Sequence, residues 1–241
     1  MIDVRGLTKL YGDFVAVDDL SFAVAAGEVL GLVGPNGAGK TTTLRCLVGI
    51  QAPTRGSIAV AGHDLLADPL AAKRALAFMP DEPQLFDYLT VEEHLRLVAR
   101  IYGVSDFDGR AQALLRELEL TDKRGALPGE LSRGMKQKVS IACGLLHNPT
   151  VLLFDEPLTG LDPLGIRRMK QTIVQRARDG GAVIISSHLL HLVEEICSRV
   201  LIINRGKRVA LGTLAELAST LPELAGTASL ESIFLRMTGD K

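Results

Sequence analysis

The chain has 241 residues, 47% of them apolar, and a formal net charge of −1. That length and apolar content suffice for a substantial buried core. The near-neutral balance leaves no basic footprint, so no nucleic-acid partner is expected.

The N-terminal third reads as strand-rich, with apolar runs at residues 2–8, 20–24, 29–33, 57–60 and 76–79. Ala25, Ala26, Gly27 and Glu28 read as a hairpin turn. Directly after the third run stand Gly34, Pro35, Asn36, Gly37, Ala38, Gly39, Lys40, Thr41 and Thr42, a complete G-x-x-x-x-G-K-[ST] phosphate loop. It opens into a helical stretch at 42–48. Glycines let successive N–H groups turn inward on a phosphate chain with no Cβ in the way. The helix N-terminus adds the positive end of its dipole. Lys40 is expected to reach the β- and γ-phosphates, and the Thr41 hydroxyl to ligate Mg²⁺. Such a loop names a nucleotide but not a job.

From about residue 85 to 147 the pattern changes to helical periods. Val91, Leu95, Val98 and Tyr102 share one helix face, and Ala111, Leu114, Leu115 and Leu118 another. Ser132 reads as the N-cap of a helix reaching about Leu146, with outward N–H groups ready for an anion. We read 85–147 as a helical subdomain inserted into an α/β core formed by 1–84 and 148–241. The core resumes with the run Val151, Leu152, Leu153, Phe154, a buried parallel strand ending in Asp155 and Glu156. Asp155 at the strand's C-terminal end faces the crevice where open α/β sheets bind ligands, and is expected to hold Mg²⁺ through water. Glu156 is placed to act on water at the γ-phosphate. A helix at 163–178 and a strand at 182–186 follow, then strands at 199–203 and 207–210 around a turn at Asn204, Arg205 and Gly206.

Between the two sites lies the run Leu131, Ser132, Arg133, Gly134, Met135, Lys136, Gln137, Lys138. Together with the phosphate loop it makes the chain resemble the nucleotide-binding domain of an ATP-binding cassette (ABC) transporter. In that family an L-S-G-G-Q-like signature precedes the second carboxylate strand, as here. Further matches fall in the family's order over 2–217. Tyr11 stands where an aromatic stacks on adenine. Leu158, Thr159, Gly160, Leu161 and Asp162 resemble the D-loop, a dimer contact. His188 resembles the switch histidine that contacts the γ-phosphate. The run Ser132, Arg133, Gly134, Met135, Lys136, Gln137, the run Leu89, Thr90, Val91, Glu92, Glu93, His94, Leu95, and the ending from Ser229 to Gly239 look like single-domain ATPases of bacterial drug, antibiotic or polysaccharide exporters.

The resemblance implies an α/β phosphate-loop NTPase core of ABC type with an N-terminal antiparallel β region. It implies ATP and Mg²⁺ as ligands and a head-to-tail dimer with a second nucleotide-binding subunit, identical or different. There ATP lies between Lys40 of one copy and Ser132 and Gly134 of the other. It also implies a separate membrane permease touching the region from Asp81 to about Leu97, and a cytoplasmic place on the inner face of the membrane. The residues agree with the last point in two ways: the start Met1, Ile2, Asp3, Val4 lacks the pattern of an export signal, and no apolar run approaches the ~20 residues of a membrane span. Cys46, Cys143 and Cys197, without metal or redox spacing, read as reduced core residues.

The sequence departs from the family pattern in two segments, at three residues. The signature has Arg133 and Met135 where Gly and Gln are commoner, and Asp81 stands where most relatives carry a metal-sensing Gln. The shorter, charged Asp81 is expected to reach Mg²⁺ through a water. Two rival functions use the same fold: a soluble ABC ATPase acting on ribosomes or DNA, and a nucleotide-dependent regulator with little turnover.

Overall fold

The computed structural model describes residues 1–221 and 229–239. Strands β1 (Ile2–Tyr11), β2 (Phe14–Val24), β4 (Arg55–Val60) and β5 (His63–Asp64) form an antiparallel sheet in the order β2-β1-β4-β5. The second sheet runs β10-β9-β3-β8-β7-β6, from β3 (Val29–Val33), β6 (Leu76–Met79), β7 (Val151–Asp155), β8 (Ala182–Ser186), β9 (Arg199–Asn204) and β10 (Lys207–Gly212). Its strands are parallel except for β10, which pairs antiparallel to β9.

The unbroken apolar runs of β3, β7 and β8 are buried along their whole length, as strands covered on both faces must be. Alternation decides which layer each residue serves. Val151, Leu153, Ala182 and Ile184 pack with the antiparallel sheet and with α1 (Lys40–Leu47). Leu152, Phe154, Val183 and Ile185 point the other way, into a cluster with Val91, Leu95, Leu115, Ile141 and Ile173. That second layer comprises α3 (Val91–Tyr102), α4 (Phe107–Glu117), α5 (Arg133–Leu145) and α6 (Pro163–Arg178). Phe154 is fully buried, and truncating it to Ala would cost about 3–5 kcal/mol. A third cluster seats α7 (Leu190–Ile196), α8 (Leu214–Ser219) and α9 (Leu230–Thr238) against Val33, Val200 and Ile202.

The chain leaves the sheet after β6 and returns in β7, the neighbouring strand, having formed α3–α5 in between. The helices start where their caps dictate. Thr90 and Glu93 form a capping box for α3, and the Ser132 hydroxyl accepts from the Met135 N–H at 3.2 Å to start α5.

The expected hairpin at 25–28 is not one. β2 belongs to the antiparallel sheet and β3 to the parallel one, where β8 and β9 already occupy both of its edges. The segment instead hands the chain between layers, fixed by the Gly27 N–H to Gly181 O at 2.9 Å and by Glu28 pairing with Arg199 at 3.0 Å. The turn at Asn204–Gly206 is a true hairpin. Arg205 and Gly206 both have positive φ, 48° and 77°, the requirement of a type I′ turn. Four helices escaped the sequence reading: α2 (Pro69–Ala75), α7, α8 and α9. For α2 the signal was present in Asp68 as N-cap and Pro69 at the first helical position.

Candidate active site

The phosphate loop leaves β3 at its C-terminal end and feeds α1. Gly39 takes φ 104°, and a Cβ there would stand 2.6 Å from the Ala16 carbonyl, so no other residue fits. The loop is braced from behind by the β9–β10 hairpin, where the Gly206 N–H donates to Ala38 O at 3.0 Å. Lys40 curls back into its own loop, its Nζ donating to Gly34 O at 2.7 Å and Pro35 O at 3.2 Å. Burial pulls the ammonium below its ordinary value, and the carboxylates of Glu156 and Asp155 pull it back up.

Two strands along, β7 delivers Asp155 and Glu156 to the same crevice. Asp155 is 5% exposed, and its Oδ1 accepts from the Ser186 hydroxyl at 2.5 Å. Glu156 has φ 49°, a conformation that side-chain-bearing residues rarely adopt. Its N–H is pinned by Ser186 O at 3.0 Å, and its Oε2 accepts from Ser187 Oγ at 3.2 Å, the His188 N–H at 3.3 Å and His188 Nδ1 at 2.9 Å. These contacts converge on Oε2 and leave Oε1 clear of them.

A cleft of about 360 Å³ is lined by Tyr11, Phe14, Ala16, the loop from Asn36 to Thr42, Asp155 and Glu156. The structure thus joins the predicted aromatic, loop, hydroxyl and carboxylates. Tyr11 is held by its hydroxyl to Gln51 and by Lys9 Nζ, 5.3 Å from the ring centre. Phe14 was missed by the sequence reading. Its signal was the short turn after Tyr11, since Tyr11 and Phe14 face each other across the β1–β2 hairpin. A wider cleft of about 920 Å³ beside α6 and α7 contains none of these residues.

The remaining predicted residues gather elsewhere. Ser132 caps α5, and a Cβ on Gly134 would meet Gly160 O at 2.8 Å, so signature and D-loop touch within one chain. Asp162 caps α6, its Oδ1 accepting from the Gly165 N–H at 3.1 Å. None of the three lines the cleft. Asp81 does not line it either. Its carboxylate instead pairs with the Arg133 guanidinium at 3.2 Å, the opposite charge beside it. His94, given no role from the sequence, is 5% exposed. It accepts the Phe86 N–H at 2.8 Å on Nε2, while Nδ1 donates to Thr90 O at 2.8 Å, which holds the loop before α3.

Comparison with known proteins bears on the same site. The family model described as ABC transporter matches residues 17–159. The ABC-type transporter ATP-binding protein EcsA of Bacillus subtilis is 34% identical over 99% of this chain and 96% of its own length. The Nod factor export ATP-binding protein I of Burkholderia orbicola is 38% identical over 88% of this chain and 70% of its own. Among solved structures, the dimeric MJ0796, a bacterial ABC transporter cassette, superposes with TM-score 0.82 and 25% identity, covering 89% of this chain and 99% of that one. With a complete phosphate loop, two strand-end carboxylates and a signature helix on the expected fold, the chain belongs to the ABC transporter family, as an ATP-binding and ATP-hydrolysing subunit.

Proposed function

We propose that this subunit powers export through a separate membrane permease, working as a dimer whose two ATP sites are each shared between chains. One observation carries the composite site: the cleft holds the phosphate loop and both carboxylates, while Ser132 and Gly134 lie outside it. The N-terminus of α5 presents backbone N–H groups that need an anion or water. A partner's nucleotide is the anion that completes them. The partner is a second cassette, identical or different, and the dimeric MJ0796 neighbour supports a dimer. Export is supported by the similarity to the Nod factor export protein. The subunit then sits on the cytoplasmic face of the membrane through its permease. Among the described residues no helix is long and apolar enough to cross a membrane.

The donor set at the cleft fits Mg²⁺. Thr41 offers a hydroxyl and Asp155 a carboxylate oxygen, hard ligands for a cation that keeps most of its waters. Among the described residues no group of three or more His, Cys, Asp or Glu forms an all-protein cage that would suit another metal. When bound, Mg²⁺ neutralises charge on the β- and γ-phosphates. The chain's own residues do the rest. Lys40 exchanges its loop carbonyls for phosphate oxygens, and Tyr11 and Phe14 flank the base. Glu156 accepts the proton of the attacking water, held in place by Ser187 and His188. His188 keeps Nε2 for the γ-phosphate while Nδ1 bonds Glu156. The lowered barrier comes mainly from this positioning and from charge.

The permease surface is the loop before α3, where Phe86 is 62% and Tyr88 92% exposed while His94 fixes the backbone beneath.

Mixed dimers test the composite site. One subunit carries Lys40→Ala and the other Ser132→Arg. If sites are shared, both lesions fall in one of them, and the isolated mixed dimer retains one nucleotide and measurable turnover. Loss of all retained nucleotide would show that loop and signature act within one chain.

A further inference from the structure

Two of the three residues at which this chain departs from its family's pattern, Asp81 and Arg133, are bonded to each other. Arg133 donates from Nη2 to Asp81 Oδ1 at 3.2 Å. One helical turn along the same face of α5, the buried Gln137 donates from Nε2 to the carbonyl of Pro80 at 3.4 Å. Two consecutive residues of the loop after β6 are therefore gripped by two residues four apart on the signature helix. On its other side the stem of Arg133 lies over Gly160: a Cβ there would stand 3.3 Å from the Arg133 Cδ. The loops that Arg133 spans leave β6 and β7, adjacent parallel strands, and β7 carries Asp155 and Glu156.

We infer that Asp81 and Arg133 form an intrachain clasp that positions the signature helix against the strand loops of the nucleotide site, so that Ser132 is presented in one orientation to the partner subunit's ATP. Arg133 is a positioning residue here, not a ligand of the nucleotide. Its charge is neutralised within its own chain, which keeps a cation from competing for phosphate beside Ser132. Asp81 is correspondingly occupied by the guanidinium. The reading rests on the composite site proposed above. Both side chains are partly exposed, 57% for Arg133 and 43% for Asp81, so the clasp biases an orientation modestly.

The test is a double-mutant cycle with two readouts in the full-length chain carrying Glu156→Gln. The first is hydrogen exchange of the Met135 and Lys136 amides in the monomer, both bonded to Ser132. The second is the ATP concentration for half-maximal dimerisation by analytical ultracentrifugation, with fluorescent-ATP affinity of the monomer as reference. Asp81→Asn and Arg133→Gln are each expected to raise exchange rate and half-maximal ATP about two- to fivefold, the range of an exposed ion pair. The double variant should be no worse than either single, and Arg133→Lys should recover part of the effect. Monomer affinity for ATP should stay put, which separates positioning from nucleotide binding. Additive single effects, or unchanged exchange and dimerisation, would overturn the clasp. If exchange responds as expected but no protein dimerises, including the one with both charges intact, the clasp stands and the shared-site reading fails.

Discussion

Glu156 is held where its backbone would rarely go by itself, at φ 49°. A left-handed conformation of this kind costs a side-chain-bearing residue on the order of 1–3 kcal/mol and persists only where neighbours enforce it. The Ser186 carbonyl and the three donors on Oε2 are those neighbours. Glu156→Gln keeps shape and backbone but removes the proton acceptor. We expect ATP affinity within a few-fold of the parent and turnover down by about 10²–10⁴-fold, read by single-turnover hydrolysis beside equilibrium binding. Near-parental turnover would remove Glu156 from the chemistry. Lys40→Ala should fail earlier, at binding, because the ammonium is the loop's side-chain cation within the cleft. Cysteine chemistry plays no part in this scheme: burial pushes the Cys143 thiol up to about 12 and raises Cys197 as well, which leaves both inert.

At the scale of elements, α5 ties the helical layer to the sheet at both of its ends. Its N-terminal turn rests on Gly160, with so little room at Gly134 that an added methyl meets a backbone carbonyl. Gly134→Ala should cost about 1–3 kcal/mol, seen as a lower Tm, and should weaken ATP-driven dimerisation in proportion to the displaced signature. An unchanged Tm would mean that the two loops have slack that the structure does not show. Just past the C-terminal end, His147 stacks on Tyr102 of α3 with ring centres 3.7 Å apart and reaches Leu76 O of β6 at 3.2 Å. Burial lowers its pKa from 6.5, only partly offset by the Leu76 carbonyl. The sign follows from linkage. Below about pH 6.5 the unfolded chain takes up a proton that the folded ring resists, so this group makes stability fall as pH drops. His147→Phe should flatten the slope of Tm against pH between about 5 and 6.5, measured by calorimetry in both proteins. Parallel curves would show that the ring titrates alike in both states.

For the molecule as a whole, the proposed function has three surfaces act together: the nucleotide cleft, the signature face and the exposed aromatic loop. The last is separable from the chemistry. Tyr88→Asp, at a side chain 92% exposed, should leave basal ATPase activity unchanged and cut the stimulation given by permease in proteoliposomes. Equal stimulation of both proteins would move the docking surface elsewhere.

Most of the cleft's lining was legible in one dimension, because its parts are local. A phosphate loop is nine consecutive residues whose backbone does the work, and Asp155 and Glu156 are readable as the end of one apolar strand. The central strands, the apolar face of α3 and the start of α5 were legible for the same reason, through apolar runs, a helical period and the Ser132 cap, which act within a turn or two. What joins segments far apart was not. Whether residues 25–28 close a hairpin depends on which strands occupy the edges of β3, and those arrive more than a hundred residues later. Phe14 became part of the cleft through hairpin register, and His94 a clamp through a loop folding back on its helix. Asp81 was expected near Mg²⁺ from its place in the chain order. Only the tertiary structure set Arg133 beside it, since a charged side chain is governed by the nearest opposite charge in space and not by its neighbours in sequence.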